Sequence, residues 1–206
     1  MKEDTVTVQD KILLAALDDV PFDGWSWEGV QSAAEKAGYK SEMADAVFIE
    51  KLNDVLIHFA DWADRKMLER LKDFSPEEIR TRDRVAKAVE LRLQILQPHK
   101  DSVKASAGYW ARPLRKFDAA KLVWRTADHI WDWAGDTATD YNRYTKRILL
   151  SGVITSTVLF WFQDESDDMR DTIAFLHRRI DNVLMIGKAA SQLKSFVPNK
   201  KEQASG

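Results

Sequence analysis

Apolar residues recur along this chain at spacings of three and four, with few prolines or glycines between them and no alternating stretch between turn residues. That pattern predicts helices throughout. Nine are read. The first, about Val6 to Val20, gathers Ile12, Leu13, Ala16, Leu17 and Val20 on one face and stops at Pro21, Asp23 and Gly24. A second runs from Ser26 to Ala37 and ends at Gly38, suited to a left-handed cap, and a short third covers Ser41 to Phe48. The fourth, roughly Lys51 to Phe74, carries Leu52, Val55, Leu56, Phe59, Trp62, Ala63, Met67 and Leu71 as one apolar stripe with charges opposite. Ser75, Pro76 and Glu78 read as a capping box opening a fifth helix that reaches Gln97. The sixth spans about His99 to Tyr109 and the seventh Lys116 to Ala134, closed by Gly135. Thr137 to Asp140 forms a further capping-box pattern before an eighth helix extending to Gln163, and Ser166 caps a ninth that reaches about Ser195.

The expected class is therefore all-α. Residues 5–50 form a compact N-terminal unit of three helices, residues 51–196 a longer, more aromatic unit, and residues 197–206 a disordered tail. The fourth helix belongs to both units, since no Gly/Ser linker divides them and no internal repeat is visible.

Composition adds limits. With 206 residues, 45% apolar and 31% charged, the chain resembles ordinary globular proteins and can bury a substantial core. The lack of cysteine excludes disulfides, thiolate metal ligands and a Cys nucleophile, and fits a reducing compartment. The acidic N-terminus has the form of neither a secretory signal nor an Arg-rich transit peptide. The longest near-apolar run, Ile148 to Phe162, contains Ser151, Thr155, Ser156 and Thr157 and falls short of the roughly 20 residues a spanning helix needs. It reads as a core helix, and the lack of cysteine makes a cytoplasmic or equivalent organellar location the expected one. Eight tryptophans suit either a large core or the wall of a cavity for a bulky apolar ligand, and composition does not choose between them.

The first unit, with its apolar first helix, Gly24-Trp25, the run from Val30 to Gly38 and the short helix ending at Phe48, resembles the helix-turn-helix module of the tetracycline-repressor family. A DNA-reading module should be basic, because phosphate neutralisation supplies much of the affinity. Here Met1 to Ala60 holds five lysines and no arginine against twelve acids, and the would-be reading helix offers Glu42 and Asp45 but no cation. Nucleic acid is not an expected partner, although a ligand-responsive repressor remains the alternative reading. Catalytic patterns are absent. His58, His99, His129 and His177 stand alone, without the Glu-x-x-His repeat of di-iron bundles or the His-Glu-x-x-His of zinc sites. No phosphate loop, dinucleotide fingerprint or serine elbow occurs. No catalytic residue, metal or cofactor is expected, and His58 and His129 read as polar residues at helix edges.

The richest stretch runs from Ile130 to Arg147. Asp140, Tyr144 and Arg147 lie at four and three spacings and share a face. They serve either as helix-start acid, packing aromatic and paired cation, or as anchors of a protein-docking patch, and spacing alone leaves both open.

The block from Trp131-Asp-Trp133 through Thr139 to Arg147, with Gln163-Asp164, the segments Phe175-Leu176 and Arg179 to Asn182, Val20 to Trp25, Glu90, Arg92 and Gln97-Pro98, resembles the ninth coenzyme Q biosynthesis protein family over about Ile12 to Lys194. The resemblance implies a tetracycline-repressor-like fold of about nine helices, dimerising through its last two. It also implies a cavity for isoprenoid or other lipids, and presentation of quinone precursors to a hydroxylase, typically of the ferritin-like di-iron type. Such a protein would be an accessory factor, not an enzyme. It would work at the inner membrane of a bacterium, or on the matrix side in a mitochondrion. The family's docking patch carries over onto Ile130, Asp140, Tyr144 and Arg147, and onto Arg143, where some members have Trp. A polyprenyl tail or phospholipid is expected in a cavity walled by the fourth, seventh and eighth helices, with Leu56, Phe59, Trp62, Trp124, Trp131, Val153 and Phe160 as candidates. Eukaryotic members continue into an amphipathic membrane-binding helix, whereas this chain turns polar after Phe196. Transient membrane contact would then fall to Lys100, Lys104, Arg112, Arg115, Lys116 and Lys121, interleaved with Tyr109, Trp110 and Leu114, unless these form only a solvated basic loop.

Overall fold

The computed structural model describes residues 3–139 and 141–196. All nine expected helices are present, with one extra turn. They are α1 (Thr5–Leu17), the single turn α2 (Val20–Asp23), α3 (Trp27–Lys36), α4 (Glu42–Val47), α5 (Leu52–Leu71), α6 (Thr81–Leu96), α7 (Lys100–Trp110), α8 (Lys116–Trp133), α9 (Tyr141–Trp161) and α10 (Arg170–Phe196). No strand occurs among the described residues. Asp140 and the tail, residues 197–206, lie outside the described residues.

Local chemistry sets most boundaries. The Asp4 carboxylate accepts the Val6 N–H at 2.9 Å to start α1, and the Ser26 hydroxyl accepts the Gly29 N–H at 3.0 Å to start α3. Gly38 and Gly135 adopt φ of 87° and 80° after α3 and α8, the left-handed caps that glycine permits without steric cost. Two starts differ from expectation. Pro76–Glu78 forms only a 3-10 turn, because Ile79 and Arg80 are extended and a helix cannot continue through them; α6 begins at Thr81. The Arg84 guanidinium holds this bend by donating to the Ile79 carbonyl at 2.6 Å. At the other start, Asp164 works together with Ser166, whose hydroxyl accepts the Asp171 N–H at 3.0 Å. One Asp164 oxygen accepts from the Ser166 N–H at 2.8 Å, and the other accepts the Thr172 N–H at 2.8 Å. Burial pushes this carboxyl up, but hydrogen bonds from Ser166 and Thr172 outweigh it and hold Asp164 well below the usual carboxylate range.

One continuous core runs through the chain, from Ile12, Leu13 and Phe48 through Phe59, Met67 and Leu93 to Ile130, Trp161 and Leu176. α1 packs on α3 and α4, α5 on α1, α6 and α8, α8 on α9, and α9 on α10. Truncating a buried aromatic such as Phe48 to Ala would cost about 3–5 kcal/mol. α5 is the strut common to both parts. At its start the His58 Nε2 lies 2.7 Å from Asp10 of α1, and Arg65 donates to both oxygens of the same carboxylate at 2.6 and 3.0 Å. Trp25 adds a second tie, its indole N–H donating to the Ser102 carbonyl on α7 at 3.0 Å. No helix among the described residues is long and apolar enough to cross a membrane.

Candidate functional site: an apolar cavity and the face beside it

Five helices line an open-sided cavity of about 340 Å³. α5 contributes Leu56, Phe59, Ala60 and Ala63, and α6 Arg92 and Leu96. α7 supplies Val103, Ser106, Ala107 and Trp110, α8 Ala119, Leu122, Val123 and Thr126, and α9 Ile154, Val158 and Leu159, with Phe162 just beyond. The space has a sequence cause. Ala60, Ala63, Ala107 and Ala119 leave room that larger side chains would fill, while Phe59, Trp110 and Phe162 hold the walls apart. The volume lies at the small end of the range for small-molecule sites, about 300–1,000 Å³.

One end of this lining is polar. Asp64 is 1% exposed and accepts from Arg92 at 2.7 Å and from the Thr126 hydroxyl at 2.9 Å, with Arg125 at 3.4 Å. This node ties α5, α6 and α8 together and places Arg92 and Thr126 in the wall. A buried carboxylate is tolerable only because it is paired and hydrogen-bonded. Sequence reasoning missed Asp64, although its signal was legible: it is an acid on the buried stripe of α5, four residues after Ala60 and three before Met67. The contributions of α6 and α7 were also missed, though Val103, Ala107 and Trp110 recur at four and three spacings.

Of the seven wall candidates, Leu56 and Phe59 line the cavity. Trp62 is buried against Phe59 and His99, with ring centroids 6.2 and 5.8 Å away. Val153 is buried in the core. Trp124 lines an adjoining open groove between α8 and α9, with Ile148 and Gly152, that shares Val123 and Leu159 with the cavity. Trp131 donates to the Lys146 carbonyl at 3.2 Å, with the Lys146 ammonium 5.3 Å above its ring. Phe160 stacks on Phe175, centroids 4.5 Å apart. Periodicity placed these residues on helix faces but could not say which neighbour each face would meet.

The docking candidates divide in the same way. Tyr144 is 58% exposed and tilts against Trp124, and Arg143 is half-exposed and donates to Asp128 at 3.2 Å. Ile130 and Arg147 lie beneath that face, at 0% and 1% exposure. Arg147 bonds Asp128, Asp132 at 3.1 Å and Asp136 at 3.0 Å, and Lys146 donates to Asp136 at 2.6 Å. Asp128 and Asp132 lie one turn apart on α8 and Asp136 follows the Gly135 cap, so three carboxylates meet Arg147 from the end of α8 and the turn after it. Burial pushes the Asp128 and Asp136 carboxyls up, but the cations outweigh it and hold both below the ordinary 3.8. The residues of the Trp131 to Arg147 block thus clamp α8 to α9 and present Tyr144 and Arg143 above the clamp. Among the proposed membrane cations, Lys100 is engaged inside the fold, donating to the Asp164 carbonyl at 2.6 Å.

His58 is buried and bonded to Asp10 rather than placed at a helix edge; burial lowers its pKa below 6.5, against the pull of Asp10. Among the described residues no group of three His, Cys, Asp or Glu side chains converges as a metal site would.

Fold and site together define a helical, repressor-like protein whose larger part contains an apolar cavity. A solved TetR transcriptional regulator from Nitrosomonas europaea has this fold, with a TM-score of 0.69 at 19% identity over 87% of this chain and 99% of that one. The COQ9 family model matches residues 117–187. The ubiquinone biosynthesis protein COQ9, mitochondrial, of Rattus norvegicus is 31% identical over 195 residues, covering 91% of this chain and 62% of the relative. Its Homo sapiens counterpart is 30% identical, with 91% and 61% covered, and that of Drosophila melanogaster 29%, with 92% and 59% covered. The chain is thus similar to COQ9 proteins over about nine-tenths of its own length. It spans about three-fifths of the length of these curated relatives.

Proposed function

We propose that this chain is a non-catalytic accessory protein of ubiquinone biosynthesis that holds an isoprenoid quinone precursor in its cavity and presents it to a hydroxylase of the pathway. The cavity carries this reading: it is apolar over most of its wall, and its Asp64, Arg92 and Thr126 node can orient one polar end of a ligand. The names of the relatives supply the pathway. Burying isoprene units against such a wall is favourable by about 25 cal/mol per Å² of apolar area removed from water. The exposed Tyr144 and half-exposed Arg143, beside the α8–α9 clamp, offer an aromatic and a cationic anchor for the hydroxylase. Native mass spectrometry of the purified protein, followed by organic extraction, tests the cavity. A co-purifying isoprenoid quinone is expected, and repeated empty preparations overturn lipid carriage. Tyr144→Ala should weaken capture of the hydroxylase without unfolding the chain, because the ring is largely exposed.

A second reading, a ligand-responsive transcription regulator, is favoured by the fold shared with the Nitrosomonas protein. Against it, α4 carries Glu42 and Asp45 where a reading helix needs cations, and Asp45 accepts from Gln31 at 3.1 Å. A gel shift at low salt separates the two, since even non-specific affinity appears there.

A further inference from the structure

The connection between α7 and α8 is a 3-10 turn, Pro113–Arg115, that forms part of the cavity rim: Trp110 and Ala111 line the cavity on one side of it and Ala119 and Leu122 on the other. Leu114 on this turn is 94% exposed, and Phe117 on the first turn of α8 is 80% exposed. Single exposed apolar residues are ordinary. These two differ in their setting. They lie three residues apart, on one side of a helical segment. Between Tyr109 and Lys121 the chain has four cations, Arg112, Arg115, Lys116 and Lys121, against one acid, Asp118, although the whole chain is net negative. The two other most exposed apolar side chains sit among acids: Phe22 between Asp19 and Asp23, and Ile49 beside Glu50. Arg115 stacks at 3.7 Å on the Tyr109 ring, which props the turn, while Arg112 and Lys116 are exposed on either side of Leu114.

We propose that this turn docks on an anionic bilayer, with Leu114 and Phe117 entering the headgroup–acyl boundary and Arg112 and Lys116 meeting lipid phosphates. An apolar wedge ringed by cations is the composition that binds such an interface. Docking there sets the cavity rim against the membrane, so a lipid tail can pass between bilayer and protein without crossing water. That consequence rests on the lipid-carrying reading, whereas the docking surface itself does not.

The test is co-sedimentation of the full chain with vesicles of phosphatidylcholine alone and of phosphatidylcholine mixed with phosphatidylglycerol. Binding to the mixed vesicles is expected, weakening as salt rises. The double substitution Leu114→Ser and Phe117→Ser should lower the partition by roughly tenfold or more, since each side chain loses its apolar transfer into the membrane. Arg112→Glu with Lys116→Glu should abolish the preference for anionic vesicles. All four side chains are exposed, so circular dichroism should report an unchanged fold. A wild-type chain that ignores the mixed vesicles, or serine variants that sediment like wild type, overturns the proposal. So does loss of capture of a protein partner by the serine variants with vesicle binding intact. An empty cavity together with Leu114-dependent vesicle binding sinks only the lipid-carrying reading, and a filled cavity with no such binding sinks only the docking proposal.

Discussion

The helices before α5 and those around the cavity meet the same packing requirement with different residues. Where α1, α3 and α4 meet, the buried positions include Ala16, Ala33, Ala34 and Ala44, packed directly against Ile12, Leu13, Val30 and Phe48. Around the cavity the alanines face open space instead, because Phe59, Trp110 and Phe162 keep the helices apart. An alanine brings two helices together when its neighbour is small, and leaves a void when the neighbour is a bulky aromatic held by other contacts. The polar nodes differ as well. Asp10, His58 and Arg65 form a partly buried tie between α1 and α5, whereas the Arg147 cluster and the Asp64 node bury arginine or aspartate almost completely.

The sharpest way to break this comparison is Arg147→Met. It removes the cation buried between Asp128 and Asp136, and breaking a buried pair from one side costs about 3–5 kcal/mol. The midpoint of a urea melt should fall accordingly, so loss of hydroxylase capture in an Arg147 variant reports unfolding before docking. Next comes a matched pair of insertions. Ala33→Phe overfills the tight N-terminal core and should cost about 1–3 kcal/mol while leaving bound lipid unchanged. Ala107→Phe projects into the cavity and should change stability by less than about 1 kcal/mol, yet deplete extracted lipid about tenfold. If the two variants instead lose the same stability, the cavity is not open space in solution.

Acid provides a weaker but two-stage test. Burial lowers the His58 pKa from its ordinary 6.5, so the folded state holds the imidazole neutral and the unfolded chain binds the proton more readily. That contribution is complete above pH 6.5 and declines as pH falls below it, and His99, lowered by burial, acts in the same direction. Asp10, Asp128, Asp136 and Asp164 are all held below 3.8; their stabilisation is full above that value and is lost as pH falls through their lower folded values. Urea melts at stepped pH should therefore show a shallow loss below pH 6.5 and a steeper one below 3.8, with the first stage absent in His58→Gln apart from the His99 part. The smallest stability effect belongs to Glu42→Lys with Asp45→Lys on the surface of α4, within about 0.5 kcal/mol. Gel shifts at low salt should show DNA affinity in this variant and none in the wild type; silence in both would mean that charge is not what separates α4 from a reading helix.

Helix order, class and the acidic character of the first unit were legible in the chain, because a period of 3.6 and a charge balance are properties of neighbouring residues. Gly38 and Gly135 marked their helix ends for the same local reason. Leu56 and Phe59 were legible as apolar, and Tyr144 as sharing a face with Arg147, but not which of the two would be covered. That was decided by Asp128 and Asp132 of α8 with Asp136 just beyond it, which draw Arg147 inward and leave Tyr144 outside. The cavity likewise required five helices to be placed at once. A void is the space that side chains from distant segments fail to fill, so no stretch of sequence contains it; the sequence by itself determined the helices and their faces, and the tertiary structure alone decided where those faces leave room.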